Sequence, residues 1–170
     1  MTGNCDTFDP ADKKAVLRQF TYGLYAVAAK HGDDRGIFTA NWLSQISFDP
    51  ALVMVSIERQ SSTLSLIESS HRFAIAPLAT GSRELAGSLG KPRARTGDKY
   101  DAVGFETVST REGILVPAAA LGFVSCVVES ITDGGDSVMV IGRIVEAVMF
   151  GEVAGSMPLT MSEAGFRHSG

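Results

Sequence analysis

Apolar residues in this chain fall mainly into short runs that are rich in β-branched side chains and are separated by glycine, proline and aspartate. Runs of this kind are typical of β-strands joined by turns. The segment Asp133-Gly134-Gly135-Asp136 is a strong hairpin signal between two long runs. The strands are predicted over residues 22–29, 36–48, 52–57, 73–79, 123–132 and 138–150, with a polar interruption inside 36–48.

Helical spacing of apolar residues is confined to short segments. A helix is predicted over 12–20 after Pro10, another over 61–70, and a third over 82–89 with Ser82 as its cap and Gly90 as its stop. Residues 91–100 are predicted to form a loop. Many strands in meander order with short inserted helices favour a mainly β (α+β) fold, built as a small antiparallel barrel that closes to protect its edges.

Composition narrows the class of protein. A chain of 170 residues and 18.0 kDa, with 45% hydrophobic and 20% charged residues, is expected to form one folded domain over residues 1–170. The net charge of −4 and a pI near 5.3 argue against a nucleic-acid partner. We expect a cytoplasmic protein, because neither a secretory signal nor an apolar run of membrane-spanning length is visible. Cys5 and Cys126 lie far apart, so we predict neither a metal site nor a disulfide framework.

The polar interruption within 36–48 is the first candidate for chemistry. Thr39, Asn41, Ser44 and Gln45 offer hydroxyls and amides that both donate and accept hydrogen bonds, and Trp42 or Leu43 offers an apolar bed. These groups suit the polar edge and the face of a flavin ring. Taken alone, however, residues 39–47 are better explained as a half-buried strand with alternating polar positions.

A second candidate follows the strand 52–57. Ser61, Ser62 and Thr63 precede apolar residues with helical spacing, and a helix start leaves backbone amides that favour a phosphate. Arg59 adds a cation whose geometry suits phosphate oxygens. The alternatives are a simple helix cap for either serine and a solvated charge for Arg59. The two segments together favour a site for flavin mononucleotide (FMN).

The order and spacing of several segments resemble one known family. These segments are Phe20-Thr21-Tyr22-Gly23-Leu24-Tyr25, Thr39-Ala40-Asn41-Trp42-Leu43-Ser44, residues 56–63, Gly97-Asp98-Lys99-Tyr100-Asp101, the hairpin at 133–136 and residues 140–145. Over nearly its whole length the chain resembles the flavin reductase-like proteins of the FMN-binding split barrel, and most closely their flavoredoxin and ferric-reductase branch. The resemblance implies an antiparallel split β-barrel of Greek-key-like order with short inserted helices.

The same resemblance implies a homodimer that binds FMN, with FAD as a possible substitute, near the subunit interface. It places 39–44 along the isoalloxazine and the residues around the next helix start along the phosphate and ribityl chain. Lys99 resembles a family lysine that reaches the phosphate. The cofactor-binding residues predicted in this way are Thr39, Ala40, Asn41, Trp42, Leu43, Ser44, Ser56, Arg59, Ser61, Ser62, Thr63 and Lys99.

For function, the resemblance implies an NAD(P)H-dependent flavin reductase. Hydride passes from nicotinamide C4 to flavin N5, which needs stacked rings but no obligatory catalytic side chain. Electrons then go to free flavin, ferric chelates, or a partner such as a redox protein or an oxygenase. The alternative is an FMN-binding electron-transfer flavoprotein of the flavoredoxin type, reduced by a protein donor.

Other residues that carry reactive or charged groups receive simpler interpretations. His31 and His71 are expected at the surface or at a cap, His168 at a mobile terminus, and Cys126 as a buried, inert thiol. Arg93 and Arg95 are candidates for the phosphates of the nicotinamide cofactor. A charge run such as 91–99 is otherwise usually a solvated face.

Overall fold

Strands dominate the computed structural model, which describes residues 8–151 and 156–167. The strands are β1 (Tyr25–His31), β2 (Asp34–Ala40), β3 (Leu43–Ser47), β4 (Leu52–Glu58), β5 (Arg72–Pro77), β6 (Thr107–Ser109), β7 (Leu115–Pro117), β8 (Gly122–Gly134) and β9 (Ser137–Met149). The helices are α1 (Pro10–Leu17), α2 (Ser62–Ser70), α3 (Arg83–Leu89), α4 (Arg93–Thr96) and α5 (Lys99–Val103).

Seven strands form one sheet in the order β2-β1-β5-β8-β9-β4-β3, in which every neighbouring pair is antiparallel. The small strands β6 and β7 pair separately. Three hairpins, β1-β2, β3-β4 and β8-β9, are joined by longer connections that change the strand order. The predicted mainly β, antiparallel class with short helices is therefore confirmed.

The two edges of the large sheet are consecutive in the chain. Edge strand β2 ends at Ala40 and edge strand β3 begins at Leu43, so three Cα steps of about 3.8 Å join them. A flat sheet of seven strands would separate its edges by roughly 29 Å, six spacings of about 4.8 Å. The sheet must therefore curl until its edges approach, with Asn41 and Trp42 spanning the gap.

The core occupies both faces of the central strands, as alternation along β1 shows. Val27 and Ala29 pack with Ile75, Phe73 and residues of β4 and β9, whereas Ala26 and Ala28 pack with the layer of α3, β7 and the segment 159–164. All four β1 residues are at most 1% exposed. Strand β1 is thus buried on both sides and provides a rigid support for β2.

Local sequence signals explain the helix ends. Asp9 caps α1 through its carboxylate, which accepts a hydrogen bond from the Ala11 amide at 2.7 Å, and Pro10 occupies the first turn. Helix α2 ends at His71 in the left-handed conformation.

None of the helices in the described segments is both long enough and apolar enough to cross a bilayer.

Two predictions about local structure are wrong. Residues 91–100, expected to be a loop, contain α4 and the start of α5, and strands β6 and β7 were not predicted. Asp133 and Gly134 continue β8, so the hairpin turn is shorter than the predicted four residues.

Cys126 is buried, as expected, and burial raises the pKa of its thiol to about 12. The expectations for Cys5 and His168 concern residues outside the described segments.

Candidate functional site

A cleft of about 740 Å³ lies where the β2-β3 connection, the end of β4, the start of α2 and the segment 90–99 meet. Its size falls in the range of small-molecule and cofactor sites, which is about 300–1,000 Å³. Eight of the twelve sequence-predicted cofactor residues line this cleft: Thr39, Ala40, Asn41, Trp42, Ser56, Ser61, Ser62 and Lys99. Residues that are 60 positions apart in sequence are therefore brought to one surface.

One end of the cleft is formed by the first residues of α2. Ser61 is the N-cap of this nine-residue helix, but its side chain makes no capping hydrogen bond, and Ser62 is the first helical residue. Both side chains reach the cleft. Because the first amides of a helix lack intrahelical acceptors and the helix dipole is positive here, this end favours an anion.

Lys99 lines the same cleft, and it also lines a smaller pocket together with Ser62. It is the first residue of α5, its side chain is buried, and its ammonium donates a hydrogen bond to the carbonyl of Leu89. Burial, together with repulsion from Arg93, lowers the pKa of Lys99 from 10.5 to about 8. An ammonium has three donors, so the bond to Leu89 leaves capacity for an anion in the cleft.

The cleft carries an excess of positive charge. Among the described residues, Lys91, Arg93 and Lys99 line it together with one carboxylate, that of Glu58. Arg93 is fixed by a hydrogen bond of 2.8 Å from its guanidinium to the backbone carbonyl of Arg35. Lys91 was not among the predicted cofactor residues, and Arg93 was considered only for nicotinamide phosphates. The basic run 91–99 is visible in the sequence, but the sequence does not show that part of this run lies at the cleft.

The other end of the cleft is formed by the connection between β2 and β3. The Thr39 hydroxyl donates to the Ala86 carbonyl at 2.7 Å, and the Asn41 side-chain amide lies 2.9 Å from the Met161 sulfur. Trp42 is 38% exposed. A second cavity of about 410 Å³ adjoins this end and shares Thr39, Asn41, Gly90, Lys91 and Pro92 with the cleft.

Four predicted cofactor residues do not line the cleft. Leu43 packs against the core, Ser44 is exposed on β3, and Thr63 is 2% exposed. Arg59 points to the β8-β9 turn, where its guanidinium donates to Asp133 at 2.9 Å and to the Gly135 carbonyl at 3.1 Å. Their predicted contacts with a cofactor stay predictions.

Comparison with known proteins identifies the family. The model of the flavin reductase like domain matches residues 17–170. The chain belongs to the flavin reductase-like family. This finding confirms the resemblance predicted from the segments at 20–25, 39–44 and 56–63.

Among known proteins, a Rhizobium meliloti protein named "Probable flavin reductase" is 27% identical over 140 residues, and the alignment covers 82% of this chain but 43% of that protein. The reductase subunit HsaB of a Mycobacterium tuberculosis flavin-dependent monooxygenase is 26% identical over 136 residues, which cover 80% of this chain and 70% of the subunit. A Streptomyces globisporus NADH:FAD oxidoreductase has the same fold, with a TM-score of 0.80 over 98% of both chains at 21% identity.

The residues at the cleft fit a flavin nucleotide by the chemistry of their donors. Ser61, Ser62 and Lys99 offer hydroxyls, backbone amides and a cation to a phosphate. Thr39 and Asn41 offer polar groups at the other end, beside the indole of Trp42. Hydrogen-bonding groups from α2, α5 and the β2-β3 connection therefore line one cleft, as a nucleotide with a polar ring edge and a phosphate requires.

Proposed function

We propose that this domain is an NAD(P)H-dependent flavin reductase that binds FMN in the 740 Å³ cleft. The observation that carries the proposal is the meeting of the α2 start, Lys99 and the β2-β3 connection in one cleft with excess positive charge. Membership of the flavin reductase-like family supports it. FAD is the alternative flavin, because a protein of the same fold is named as an NADH:FAD oxidoreductase.

At the phosphate end, the chain's own groups bind and neutralise charge. The hydroxyls of Ser61 and Ser62 and the first amides of α2 donate to phosphate oxygens, and the Lys99 ammonium balances their charge. The desolvated position of Lys99 strengthens this attraction relative to a solvated lysine. Arg93 and Lys91 extend the positive field along the cleft.

At the ring end, Thr39, Asn41 and the adjacent backbone orient the isoalloxazine edge, and Trp42 excludes water from one side. Bound flavin supplies the hydride acceptor, and reduced flavin carries negative charge on its pyrimidine side. Backbone amides of residues 39–42 and the second N–H of the Asn41 side-chain amide would stabilise that charge, which is the contribution the protein makes to the reaction. The adjoining 410 Å³ cavity leaves room for a second ring next to this end.

The test is an anaerobic titration of the purified chain. Addition of FMN should give a protein-bound flavin at micromolar concentration, and NADH or NADPH should then bleach its absorbance near 450 nm, roughly the usual flavin maximum. Absence of flavin binding at micromolar concentration would contradict the proposal. Binding with slow reduction by both nicotinamides, but fast reduction by a protein donor, would instead support the electron-transfer flavoprotein.

The partner that receives reduced flavin is proposed to be an oxygenase. A similar protein, the HsaB subunit, is named as the reductase subunit of a flavin-dependent monooxygenase, which supports this class of partner. A reductase in such a pair releases its reduced flavin, so FMN should exchange readily. Oxygenase turnover, measured with the reductase on the other side of a dialysis membrane, tests whether diffusion of free flavin suffices; turnover only on direct mixing would contradict it.

A homodimer is proposed from the exposed apolar face of edge strand β3. Three large apolar side chains at this edge are 38%, 45% and 90% exposed, namely Trp42 directly before β3, Ile46 within it and Phe48 directly after it. Exposed apolar side chains on an unpaired strand edge favour association with another surface. Because Trp42 also lines the cleft, a second copy covering this edge would lie close to the bound flavin.

Light scattering combined with size-exclusion chromatography tests the dimer. The wild-type chain should elute as a dimer, and the double substitution Ile46→Ser and Phe48→Ser should shift it toward the monomer. A matched substitution of another exposed apolar side chain, Val16→Ser on α1, should leave the mass unchanged. A monomeric wild-type chain at micromolar concentration would contradict the proposal.

A further inference from the structure

Arg35, on β2, reaches across to the short helix α5 with three separate contacts. Its Nε donates to Asp98 at 2.9 Å and its terminal NH2 group donates to Asp101 at 2.7 Å. Its guanidinium carbon lies 4.8 Å from the centre of the Tyr100 ring. A planar guanidinium bound to two carboxylates and stacked on a ring has little orientational freedom, so these contacts fix α5 relative to β2.

The backbone of Arg35 also holds the preceding helix. Its carbonyl accepts the hydrogen bond from the Arg93 side chain at 2.8 Å. Arg35 therefore connects β2, a strand of the rigid sheet, to both α4 and α5. These two helices carry Arg93 and Lys99, two of the cations at the cleft.

Helix α5 depends on such contacts because it is short. It has five residues, and Gly97, with φ of +71°, separates it from α4. Nucleation of a helix is unfavourable, so a helix of this length is not stable without tertiary contacts. Asp98 caps it by accepting the Tyr100 amide at 2.8 Å, and the Tyr100 hydroxyl donates to the Leu115 carbonyl at 2.9 Å.

The charge state of Asp98 is consistent with this arrangement. Burial raises the pKa of its carboxyl, but the hydrogen bond from Arg35, the Tyr100 amide and the attraction of Arg35 and Arg93 outweigh burial and hold the pKa below its ordinary value. The carboxylate that caps α5 is thus the carboxylate that binds Arg35. Lys99 lies between Asp98 and Tyr100, two of the three residues that Arg35 contacts.

We propose that Arg35 is a positioning residue for the cofactor phosphate, acting through Asp98 to set the first turn of α5 and thereby the place of the Lys99 ammonium in the cleft. Within the described segments, Arg35 does not itself line the 740 Å³ cleft. This inference rests on the proposed function. It adds a residue of β2, distant in sequence from both phosphate-end segments, to the determinants of flavin selectivity.

The experiment compares FMN with riboflavin, which has the same ring but lacks the phosphate. Dissociation constants are measured by fluorescence titration of the full chain and of Arg35→Ala. We expect Arg35→Ala to weaken FMN binding on the order of tenfold, the scale of a charge-assisted hydrogen bond, and to change riboflavin binding by less than about twofold. In a Lys99→Met background, Arg35→Ala should produce no further loss.

Two further variants cover the case in which Arg35→Ala does not fold. Arg35→Lys keeps the charge but loses the two-carboxylate fork, so it should give a smaller FMN-selective loss. Asp98→Asn keeps a good helix cap but weakens the ion pair, so it should reproduce the selective loss. Arg72→Ala removes another partly exposed arginine–carboxylate pair, with Glu112 at 3.3 Å, and should leave both affinities unchanged.

Equal losses for FMN and riboflavin would overturn the positioning role, because they would indicate a general structural effect. An unchanged FMN affinity in Arg35→Ala, or its full effect persisting beside Lys99→Met, would also overturn it while leaving the proposed function intact. A wild-type chain that binds neither FMN nor riboflavin would overturn the proposed function and this inference together.

Discussion

Lys99→Met should change how the stability of the fold depends on pH. The Lys99 side chain is 8% exposed and its pKa falls from 10.5 to about 8 because burial penalises the ammonium. Below pH 8 the lysine is charged in both the folded and the unfolded chain, so the cost of burial is fully present. Methionine has similar length and carries no charge, so this cost is absent from the variant.

The size of the effect follows from the two pKa values. Between pH 8 and 10.5 the unfolded chain keeps a proton that the folded chain has lost, so the unfolding free energy of the wild type rises with pH over this window. Integration from pH 7 to 9.5 gives a gain of about 2 kcal/mol for the wild type relative to the variant. The lost hydrogen bond to Leu89 adds an offset that does not depend on pH over this range.

Urea denaturation at several pH values between 7 and 9.5 measures the effect as the difference in unfolding free energy between wild type and variant. Cys126, with a pKa raised to about 12, makes both proteins less stable as pH rises above 9 and cancels in this difference. Lys91→Met, at an exposed position of the same segment, should give a difference independent of pH. A flat difference for Lys99→Met as well would refute the burial of a charged Lys99.

Three further predictions concern other parts of the molecule. Arg59→Ala should change the dissociation constant for FMN by less than about twofold in the fluorescence titration if the Arg59 guanidinium stays on the β8-β9 turn. A contact between Arg59 and the phosphate would instead weaken FMN binding by about 1–3 kcal/mol. Gly142→Ala places a Cβ 2.5 Å from the Phe73 ring and should destabilise the fold by about 1–3 kcal/mol in thermal melts, whereas Gly151→Ala, with open space around its Cβ, should not. Trp42 is the sole tryptophan, so FMN should quench the protein's indole fluorescence; unchanged emission on saturation would place the ring elsewhere.

The strands of the large sheet were predictable because their signal is local. The apolar run at 52–57 and the turn residues between the two long C-terminal runs specify β4 and the β8-β9 hairpin without reference to the remaining chain. The serines before α2 likewise mark its start, and the same two residues line the cleft. Fold class and the start of α2 were therefore accessible from sequence, whereas the binding of a phosphate there stays a prediction.

Helices α4 and α5 were not predictable because their stability comes from elsewhere. Each has four or five residues, too few for a periodic apolar pattern, and α5 is held by Arg35 from a strand more than sixty residues earlier. Strands β6 and β7 have three residues each, and their pairing is equally invisible in local pattern.

Sequence alone also did not show which arginine lies at the cleft. Arg59 stands two residues before the serines at α2, and sequence proximity favoured it as a phosphate partner. In the folded chain, pairing of β4 with β9 brings Glu58 opposite Ser137 and directs Arg59 to the adjacent turn. Arg93, remote in sequence, occupies the cleft instead. Strand register decides between them, and register is a property of the whole sheet.

The position of Asn41 and Trp42 between the two edge strands has a consequence for folding energetics. A ligand that contacts the β2-β3 connection, α2 and α5 at once links elements that the hydrogen-bond ladder of the sheet leaves unconnected. Occupancy of the cleft then acts as a non-covalent cross-link between the two edges of the sheet, with stability rising with ligand concentration. Protection of β2 and β3 amides against hydrogen exchange would report flavin saturation directly.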